Sequence, residues 1–259
     1  MTHLAKKKCV LFSMTLFFLY SIFFPMSVMH GKWGLRGNIG TGTTEDPYYN
    51  LSAHYISQFL PQNPIVIEAG AHDGEDTYLM SLLWPEGQIY AFEPDPRTYP
   101  ELMSNLNDCK NVHTFPIALG TYVGTSNFYL SKPTEAYGVA GQSSLFPDNP
   151  ETWPWSWVEI EEQPITVPIT TLDDWAEKHG IQKVDFLWLD MQGSEYQMLQ
   201  ASPRILKTVT AIKTEYSTKE YYKGTVLFSA FKQFLEEQGF YLIEICGETH
   251  GDALFIRKD

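Results

Sequence analysis

The run IVIEAGAHDGEDTYLMSLL at residues 65–83 joins an apolar strand to a helix through a glycine-rich turn. Residues 65–69 form a short apolar run that favours a buried strand, and a helical stretch follows the turn. Gly70 and Gly74, with Ala71 between them, permit a tight turn where a Cβ would clash with a close ligand. The free amides at the start of the helix can also bind a ligand. The pattern therefore predicts a βα unit with a binding turn, and a plain tight turn is the alternative.

Six further apolar runs of similar length follow along the chain. They cover residues 88–92, 112–117, 184–189, 209–215, 240–245 and 253–257, with helical stretches at about 97–106, 194–200 and 226–237. Alternating strands and helices predict an α/β fold with a doubly wound, mainly parallel sheet of seven strands. Only the short link 247–251 separates the last two strands, which predicts a C-terminal antiparallel hairpin.

A long insertion at about 120–180 separates the third predicted strand from the fourth. It contains two strand-like runs, 127–130 and 165–169, and the aromatic stretch WPWSW at 153–157. Long irregular insertions in a compact domain are typical of lids and binding loops. Trp155 is therefore a candidate contact for the substrate, and a packed Trp/Pro hinge is the alternative.

The charge balance and the cysteine content limit the partners. The chain has 18 Lys and Arg against 31 Asp and Glu, a formal net charge of −13. Such a field repels phosphate backbones, so we expect no nucleic acid partner. The 3 cysteines form no CxxC or Cys/His pattern, so we predict neither a metal site nor a disulfide framework. His250 and Asp252 are more typical of a polar hairpin turn than of a metal site.

The N-terminus has the pattern of an export or membrane signal. Three lysines at 6–8 precede an uncharged run at 9–29, rich in Leu and Phe. Residues 1–30 are therefore predicted as a signal anchor or a signal peptide, and a buried helix is the alternative. We expect a membrane-anchored or secretory-pathway protein, or a cytoplasmic one if this segment does not export the domain. Residues 31–46 are predicted as a linker and 47–259 as the domain, which opens with a helix to Ser57.

An acidic residue, Glu93, ends the second predicted strand about 23 residues after Gly70. A carboxylate there can accept hydrogen bonds from both ribose hydroxyls, and it disfavours a 2′-phosphate. The turn lacks the third glycine of a G-x-G-x-x-G dinucleotide site, whereas Glu68 can meet an amino group. This pattern favours a cationic amino acid–sulfonium ligand, S-adenosylmethionine, over a pyrophosphate. A nucleotide-dependent oxidoreductase or epimerase is the alternative.

Seven stretches resemble, in the same order, the FkbM-type family of S-adenosylmethionine-dependent methyltransferases. They are VIEAGAHDG (66–74), YAFEPDP (90–96), FPIALG (115–120), SSL (143–145), ITTLDDW (169–175), VDFLWLDMQGSEYQML (184–199) and DALFIRK (252–258). The resemblance covers nearly the whole predicted domain. It implies a Rossmann-like methyltransferase fold and S-adenosylmethionine as the cofactor.

The resemblance also implies which residues contact the ligands. The implied cofactor contacts are Glu68, Gly70, Ala71 and Gly74 for the methionine part, Glu93 for the ribose, Ala118 and Leu119 for the adenine side, Ser144 in the insertion, and Asp190 at the mouth of the site. Gln192 and Glu195 are implied on the substrate side of this mouth. The chain departs from the family's pattern at Gln192, where Glu is frequent, and at Trp188, where Lys is common.

Methyl transfer to a hydroxyl requires a group that takes the hydroxyl proton. Asp190 is the first candidate for this base, Glu215 the second and His72 the third. The alternatives are an anchor for the following helix at Asp190, a loop contact at Glu215 and a turn residue at His72. The resemblance favours O-methylation of a sugar, a glycan or another small metabolite. A degenerate cofactor-binding module without catalysis is the alternative function.

Overall fold

The computed structural model of this 259-residue chain describes residues 49–134, 138–139 and 141–258. The predicted anchor or signal peptide at 1–30 and the linker at 31–46 lie outside the described residues, so both stay predictions. Within the described part of the chain, no helix combines the length and the apolar character needed to cross a membrane.

The described residues form twelve strands and seven α-helices. The strands are β1 (Ile65–Ala69), β2 (Gln88–Phe92), β3 (Val112–Phe115), β4 (Ala118–Leu119), β5 (Gly124–Phe128), β6 (Pro133–Thr134), β7 (Gly138–Val139), β8 (Ile165–Thr170), β9 (Phe186–Leu189), β10 (Ala211–Ser217), β11 (Phe240–Cys246) and β12 (His250–Arg257). The helices are α1 (Ala53–Ile56), α2 (Glu75–Leu83), α3 (Tyr99–Asn105), α4 (Leu172–Lys178), α5 (Glu195–Gln200), α6 (Pro203–Leu206) and α7 (Phe228–Glu237).

Seven strands form the main sheet, in the order β11-β12-β10-β9-β1-β2-β3. The five strands from β10 to β3 pair in parallel, whereas β12 is antiparallel to both of its neighbours. The predicted seven-stranded, mainly parallel sheet with a C-terminal antiparallel hairpin is therefore confirmed. The hairpin strand β12 lies between β10 and β11, so it is an inner strand of the sheet.

Both faces of this sheet are covered by apolar side chains. Ile67 and Leu187 pack into the core on one face, whereas Val66 and Phe186 pack into the core on the other. Neighbouring residues of a strand point to opposite faces, so a strand buried on both faces must be apolar throughout. This explains why the sequence shows continuous apolar runs instead of alternation.

The strand order reverses between β1 and β9, since the chain runs from β1 outward to β3 and then returns to β9. Loops at the carboxyl ends of two such strands diverge and leave a crevice, which is the usual ligand site of open α/β sheets. The turn at 70–74 and the loop from Asp190 onward meet at this point.

The insertion contains a second, three-stranded sheet, which the sequence did not predict as a unit. Strand β8 pairs in parallel with β4 and antiparallel with β5. The predicted third core strand ends at Phe115, and the next residues, Ala118–Leu119, already belong to the second sheet.

The predicted helix from the start of the domain to Ser57 is wrong in the described part of the chain. Two 3₁₀ turns, Tyr49–Leu51 and Ser57–Phe59, flank the single turn α1. The Ser52 hydroxyl accepts a hydrogen bond from the Tyr55 amide at 3.1 Å. It also donates one to the Tyr49 carbonyl at 2.6 Å. A serine in this role starts a new helix, so an amphipathic pattern across it does not produce a continuous one.

Candidate active site

The glycine-rich turn is held against the neighbouring strands. The amides of Gly70 and Ala71 both donate to the Phe92 carbonyl, at 2.9 and 3.0 Å. Gly70 has φ +86°, and a Cβ there would lie 1.8 Å from the carbonyl oxygen of Asp190. Gly74 has φ +88°, and its Cβ would lie 2.7 Å from Leu102 Cδ1. At both positions a side chain would clash with other atoms of the protein, so glycine is required whether or not a ligand is bound. From the sequence alone, only a clash with a bound ligand was inferred.

Glu93 lies directly after β2 and is 5% exposed. Its Oε2 accepts from the His72 amide at 2.8 Å, and its Oε1 accepts from the Asp95 amide at 2.7 Å. Burial raises the pKa of Glu93, and these backbone hydrogen bonds partly oppose the rise. Each carboxylate oxygen has a second lone pair, so both can still accept from a diol. The ring of His72 lies beside Asp73, with Nδ1 3.6 Å from Oδ1.

A group of carboxyl side chains lies behind the turn. Glu68 is 2% exposed, and its Oε2 accepts from Thr77 Oγ1 at 2.5 Å. Burial and the neighbouring Asp76 raise the pKa of Glu68 well above its usual range. Burial also raises the pKa of Asp76 to about 6, and Lys213 partly opposes this rise. The cleft is therefore backed by carboxyl groups.

Lys213 is the cation that faces these carboxyl groups. Its Nζ lies 3.1 Å from Asp252 Oδ2 and 4.0 Å from the centre of the Trp188 ring. Burial alone would lower the pKa of Lys213, but Asp252 and Asp76 outweigh it, so the pKa is raised. The amine therefore keeps its charge in a buried position. The aromatic ring of Trp188 covers this amine.

Asp190 and Glu215 are joined through one amide. Gln192 Nε2 donates to Asp190 Oδ1 at 2.6 Å and to Glu215 Oε2 at 2.9 Å. Asp190 as a whole residue is exposed. Loss of solvent around its carboxyl group and the charge of Glu215 raise the pKa of Asp190 well above its usual range. Burial, with Glu195 and Asp252 nearby, raises the pKa of Glu215 to about 8.

Glu195 and Ser144 contact the backbone of the loop that follows β9. Glu195 Oε1 accepts from the Met191 amide at 2.7 Å, and burial raises the pKa of Glu195 to about 7. Ser144 Oγ donates to the Gln192 carbonyl at 2.7 Å and accepts from the Phe146 amide at 3.0 Å. Ser144 thereby connects the insertion to the loop that presents Asp190.

The aromatic stretch of the insertion lies next to Asp190 and Glu215, which we call the acid pair. The ring of Trp155 lies 4.9 Å from that of His250, edge to face. His250 Nε2 lies 3.1 Å from Glu215 Oε1, and Ser217 Oγ lies 3.2 Å from His250 Nδ1. Trp155 is thus placed one side chain away from Glu215. Burial lowers the pKa of His250, although nearby carboxylates oppose the change.

Ala118 and Leu119 lie in β4, which pairs with β8. Both are buried: Leu119 contributes to the core of the main sheet and Ala118 to the core of the second sheet. This placement shows how the insertion is anchored, and their predicted adenine contact stays a prediction.

The structure adds three residues that the sequence interpretation missed: Tyr222, Lys213 and Asp76. Tyr222 is 4% exposed, and its hydroxyl donates to Gln192 Oε1 at 2.7 Å. Lys213 carried a usable signal, because a lysine inside an otherwise apolar strand requires a buried partner. Asp76 looks like an ordinary acidic residue in a first helical turn, and Tyr222 lies in a loop without a recognisable sequence pattern.

In the part of the chain described here, no group of three or more His, Cys, Asp or Glu is arranged to hold a metal ion.

Comparisons with known proteins give the chain its family. The model of the Methyltransferase FkbM domain matches residues 68–242. The chain is 29% identical over 196 residues to 2-O-methyltransferase NoeI of Sinorhizobium fredii, covering 73% of this chain and 79% of that protein. It is 26% identical over 163 residues to Methyltransferase sdnD of Sordaria araneosa, covering 54% of this chain and 61% of that protein.

Among solved structures, Methyltransferase FkbM from Methylobacillus flagellatus superposes with a TM-score of 0.48 at 14% identity, covering 81% of this chain and 48% of that chain. The family match at 68–242 spans the glycine-rich turn, Glu93 and the acid pair, and it covers more than half of the chain. The chain belongs to the FkbM family of S-adenosylmethionine-dependent methyltransferases.

Proposed function

We propose that this methyltransferase acts on a hydroxyl group of a sugar, a glycan or a similar polyhydroxylated small molecule. The observation that carries the proposal is the carboxyl pair Asp190 and Glu215, with Asp190 exposed in the cleft at the end of β9. An alcohol is almost fully protonated at neutral pH, so its methylation benefits from a base in hydrogen-bonding reach. A carboxylate that opens into the cleft supplies this base.

The charges of the cleft fit the cofactor. S-adenosylmethionine carries a sulfonium, an ammonium group and a ribose diol. Glu68, Asp76 and Asp190 supply negative charge or acceptors for the cationic part, and Glu93 supplies acceptors for the diol. When bound, the cofactor supplies a methyl group on a positively charged sulfur. The residues of the chain then have to orient the acceptor and receive its proton.

Asp190 is the residue proposed to receive that proton. Transfer of the methyl group would break its bond to the cofactor's sulfur, form the oxygen–carbon bond of the methyl ether and break the oxygen–hydrogen bond of the acceptor, whose proton would pass to the Asp190 carboxylate. A base is most effective when its pKa is close to the working pH, so a raised pKa favours this role. Glu215 shares the Gln192 amide and stabilises the protonated pair. The His72 amide binds Glu93 on the cofactor side, which supports a turn role for this residue over a basic one.

The acceptor is proposed to enter beside Trp155 and His250. A half-buried aromatic ring next to carboxylate and hydroxyl groups suits a sugar ring, which has an apolar face and polar edges. The name of one relative, 2-O-methyltransferase NoeI, supports an oxygen as the methyl-accepting atom. Membership of the family sets aside an oxidoreductase, an epimerase and a module without catalysis.

Labelled S-adenosylmethionine, offered with mono- and oligosaccharides, simple amines and a protein mixture, tests the proposal. We expect label in alkali-stable methyl ethers of a sugar, with Asp190→Asn lowering kcat at least about 100-fold. The matched control is Asp108→Asn, an exposed residue after α3, which should retain full activity. Label found on nitrogen or on protein alone would overturn the O-methyl proposal.

A further inference from the structure

The side chain of Gln192 has one fixed orientation. Its Nε2 donates to Asp190 at 2.6 Å and to Glu215 at 2.9 Å, and its Oε1 accepts from the Tyr222 hydroxyl at 2.7 Å. An ionised carboxylate only accepts hydrogen bonds, and an amide nitrogen only donates them. The partners therefore distinguish the two ends of the amide: nitrogen toward the acids and oxygen toward Tyr222.

The backbone of Gln192 is also constrained. Its φ of +53° lies in the left-handed region, which costs a residue with a Cβ about 1–2 kcal/mol. The Ser144 hydroxyl holds the Gln192 carbonyl at 2.7 Å, and Gly193 continues with φ +98°. The side chain is 5% exposed. A strained residue whose side chain is satisfied at every polar atom is held there by its surroundings.

The acid pair has many charged neighbours. Titratable groups face it from each element packed around it: Glu68 from β1, Glu195 from α5, Asp252 and His250 from β12, Lys213 from β10, Asp76 from α2 and Tyr222 from the loop after β10. Carboxyl groups outnumber cations in this set. Two like charges in a poorly solvated site resist ionising together, so such a pair retains a proton.

We propose that Gln192 is a positioning residue that holds Asp190 and Glu215 as one acid pair with a single shared proton, and that Tyr222 fixes the orientation of its amide. Both amide hydrogens are directed at carboxylate oxygens, so the shared proton lies on one of the two oxygens that Gln192 does not contact, on Asp190 or on Glu215. When the proton lies on Glu215, the free oxygen of Asp190 is available to an acceptor hydroxyl. This kinetic consequence rests on the proposed function, whereas the state of the pair does not.

Three variants separate the loss of the amide donor from the addition of a charge beside the acid pair. Gln192→Glu adds a third carboxyl group and removes the donor, because a carboxylate has no hydrogen to give. Gln192→Met has a similar shape and removes the donor without adding charge. Tyr222→Phe keeps Gln192 but leaves its amide free to turn. Loss of a donor to an ionised carboxylate raises the pKa of that carboxylate, so all three variants shift the titration upward.

Carbon-13 NMR of the side-chain carboxyl groups, followed across pH in the ligand-free protein, measures this directly. We expect the pair's titration midpoints to rise by at least about one pH unit in Gln192→Glu and by a smaller amount in Gln192→Met and Tyr222→Phe. Gln200→Glu is the matched control, because Gln200 is exposed at the end of α5, the helix that follows the loop containing Gln192. It should leave the midpoints unchanged.

Two outcomes overturn the inference. Unchanged midpoints in Gln192→Met and in Tyr222→Phe would show that the amide does not control the pair. An equal shift in Gln200→Glu would show that net charge alone explains the effect. Tyr222→Phe retains Gln192, so it answers the question even if a variant at 192 fails to fold. If the midpoints shift while the pH profile of kcat does not follow, the inference stands and the proposed base role of Asp190 fails.

Discussion

The backbone of Gly70 lies against the carbonyl oxygen of Asp190, so close that a Cβ on residue 70 would stand 1.8 Å from it. The Asp190 amide also donates to the Ala69 carbonyl at 2.9 Å. The turn on the cofactor side and the loop that presents the proposed base therefore share one backbone contact. A change at either position moves both halves of the site.

Replacing Gly70 with alanine tests this contact. Gly70→Ala adds a steric clash with backbone atoms to the cost of a left-handed φ, so we expect the free energy of unfolding to fall by more than about 3 kcal/mol. Gly180→Ala is the control, because Gly180 has φ +71° but nothing within 4 Å of its added Cβ. It should cost only about 1 kcal/mol. Chemical denaturation measures both, and equal losses would contradict the contact argument.

Glu93 is expected to control cofactor affinity. Glu93→Ala removes the acceptor proposed for the ribose and the partner of the His72 and Asp95 amides. We expect the Kd for S-adenosylhomocysteine, measured by titration calorimetry, to rise about 10- to 100-fold, as the loss of a hydrogen bond to a charged group predicts. NAD⁺ should not bind either protein. Glu101→Ala, on the exposed side of α3, should bind like the unmodified chain; undiminished binding by Glu93→Ala would remove this residue from the cofactor site.

The stability of the protein should be highest in mild acid. Asp76, Glu195 and Glu215 have pKa values raised to about 6, 7 and 8 in the folded chain. Unfolded carboxyls titrate near pH ~4, so between there and the folded values the native state holds more protons than the unfolded one. The free energy of unfolding must then fall as pH rises through this window. Tm measured from pH 5 to pH 8 should decrease, with a shallower slope in Glu215→Gln; a rising Tm would refute the prediction.

Trp155 is expected to affect the acceptor and not the cofactor. Trp155→Ala removes the ring beside His250, so we expect the KM for a sugar acceptor to rise roughly 3- to 10-fold, the range typical of one aromatic contact. The Kd for S-adenosylhomocysteine should stay unchanged. Trp157→Ala is the comparison within the same stretch, since Trp157 is 49% exposed. An equal effect from both variants would indicate that the stretch acts as a packed hinge.

The main sheet was predictable because each of its strands is a short apolar run between turn residues, such as 65–69 and 184–189. The second sheet was not, since β4 has two residues and β5 reads GTSNF, which lacks both an apolar run and an alternating pattern. Strands β4 and β5 form because each pairs with β8. A pairing partner that is distant in the sequence leaves no local signal.

In the candidate site, too, some residues could be predicted from the sequence and others could not. Asp190 and Glu93 directly follow strands, so the sequence places them at one edge of the sheet. Glu195 was implied on the substrate side of the mouth, which stays a prediction, whereas the hydrogen bond that its carboxylate accepts from the Met191 amide had no signal in the sequence. Tyr222 reaches Gln192 from a position 30 residues away, through a loop whose path depends on tertiary contacts. Side chains that stand at strand ends are predictable in this fold, whereas the partners that orient them depend on loop conformation.

The position of β12 within the sheet sets an order of events during synthesis. The ribosome makes β10 and β11 before β12, yet β12 lies between them and pairs with both. Until β12 leaves the exit tunnel, β10 has an open edge, and Glu215 lacks its neighbours His250 and Asp252. A nascent chain that ends before His250 therefore lacks two of the groups that surround Glu215. Such a chain exposes an unpaired strand edge that chaperones and proteases can recognise.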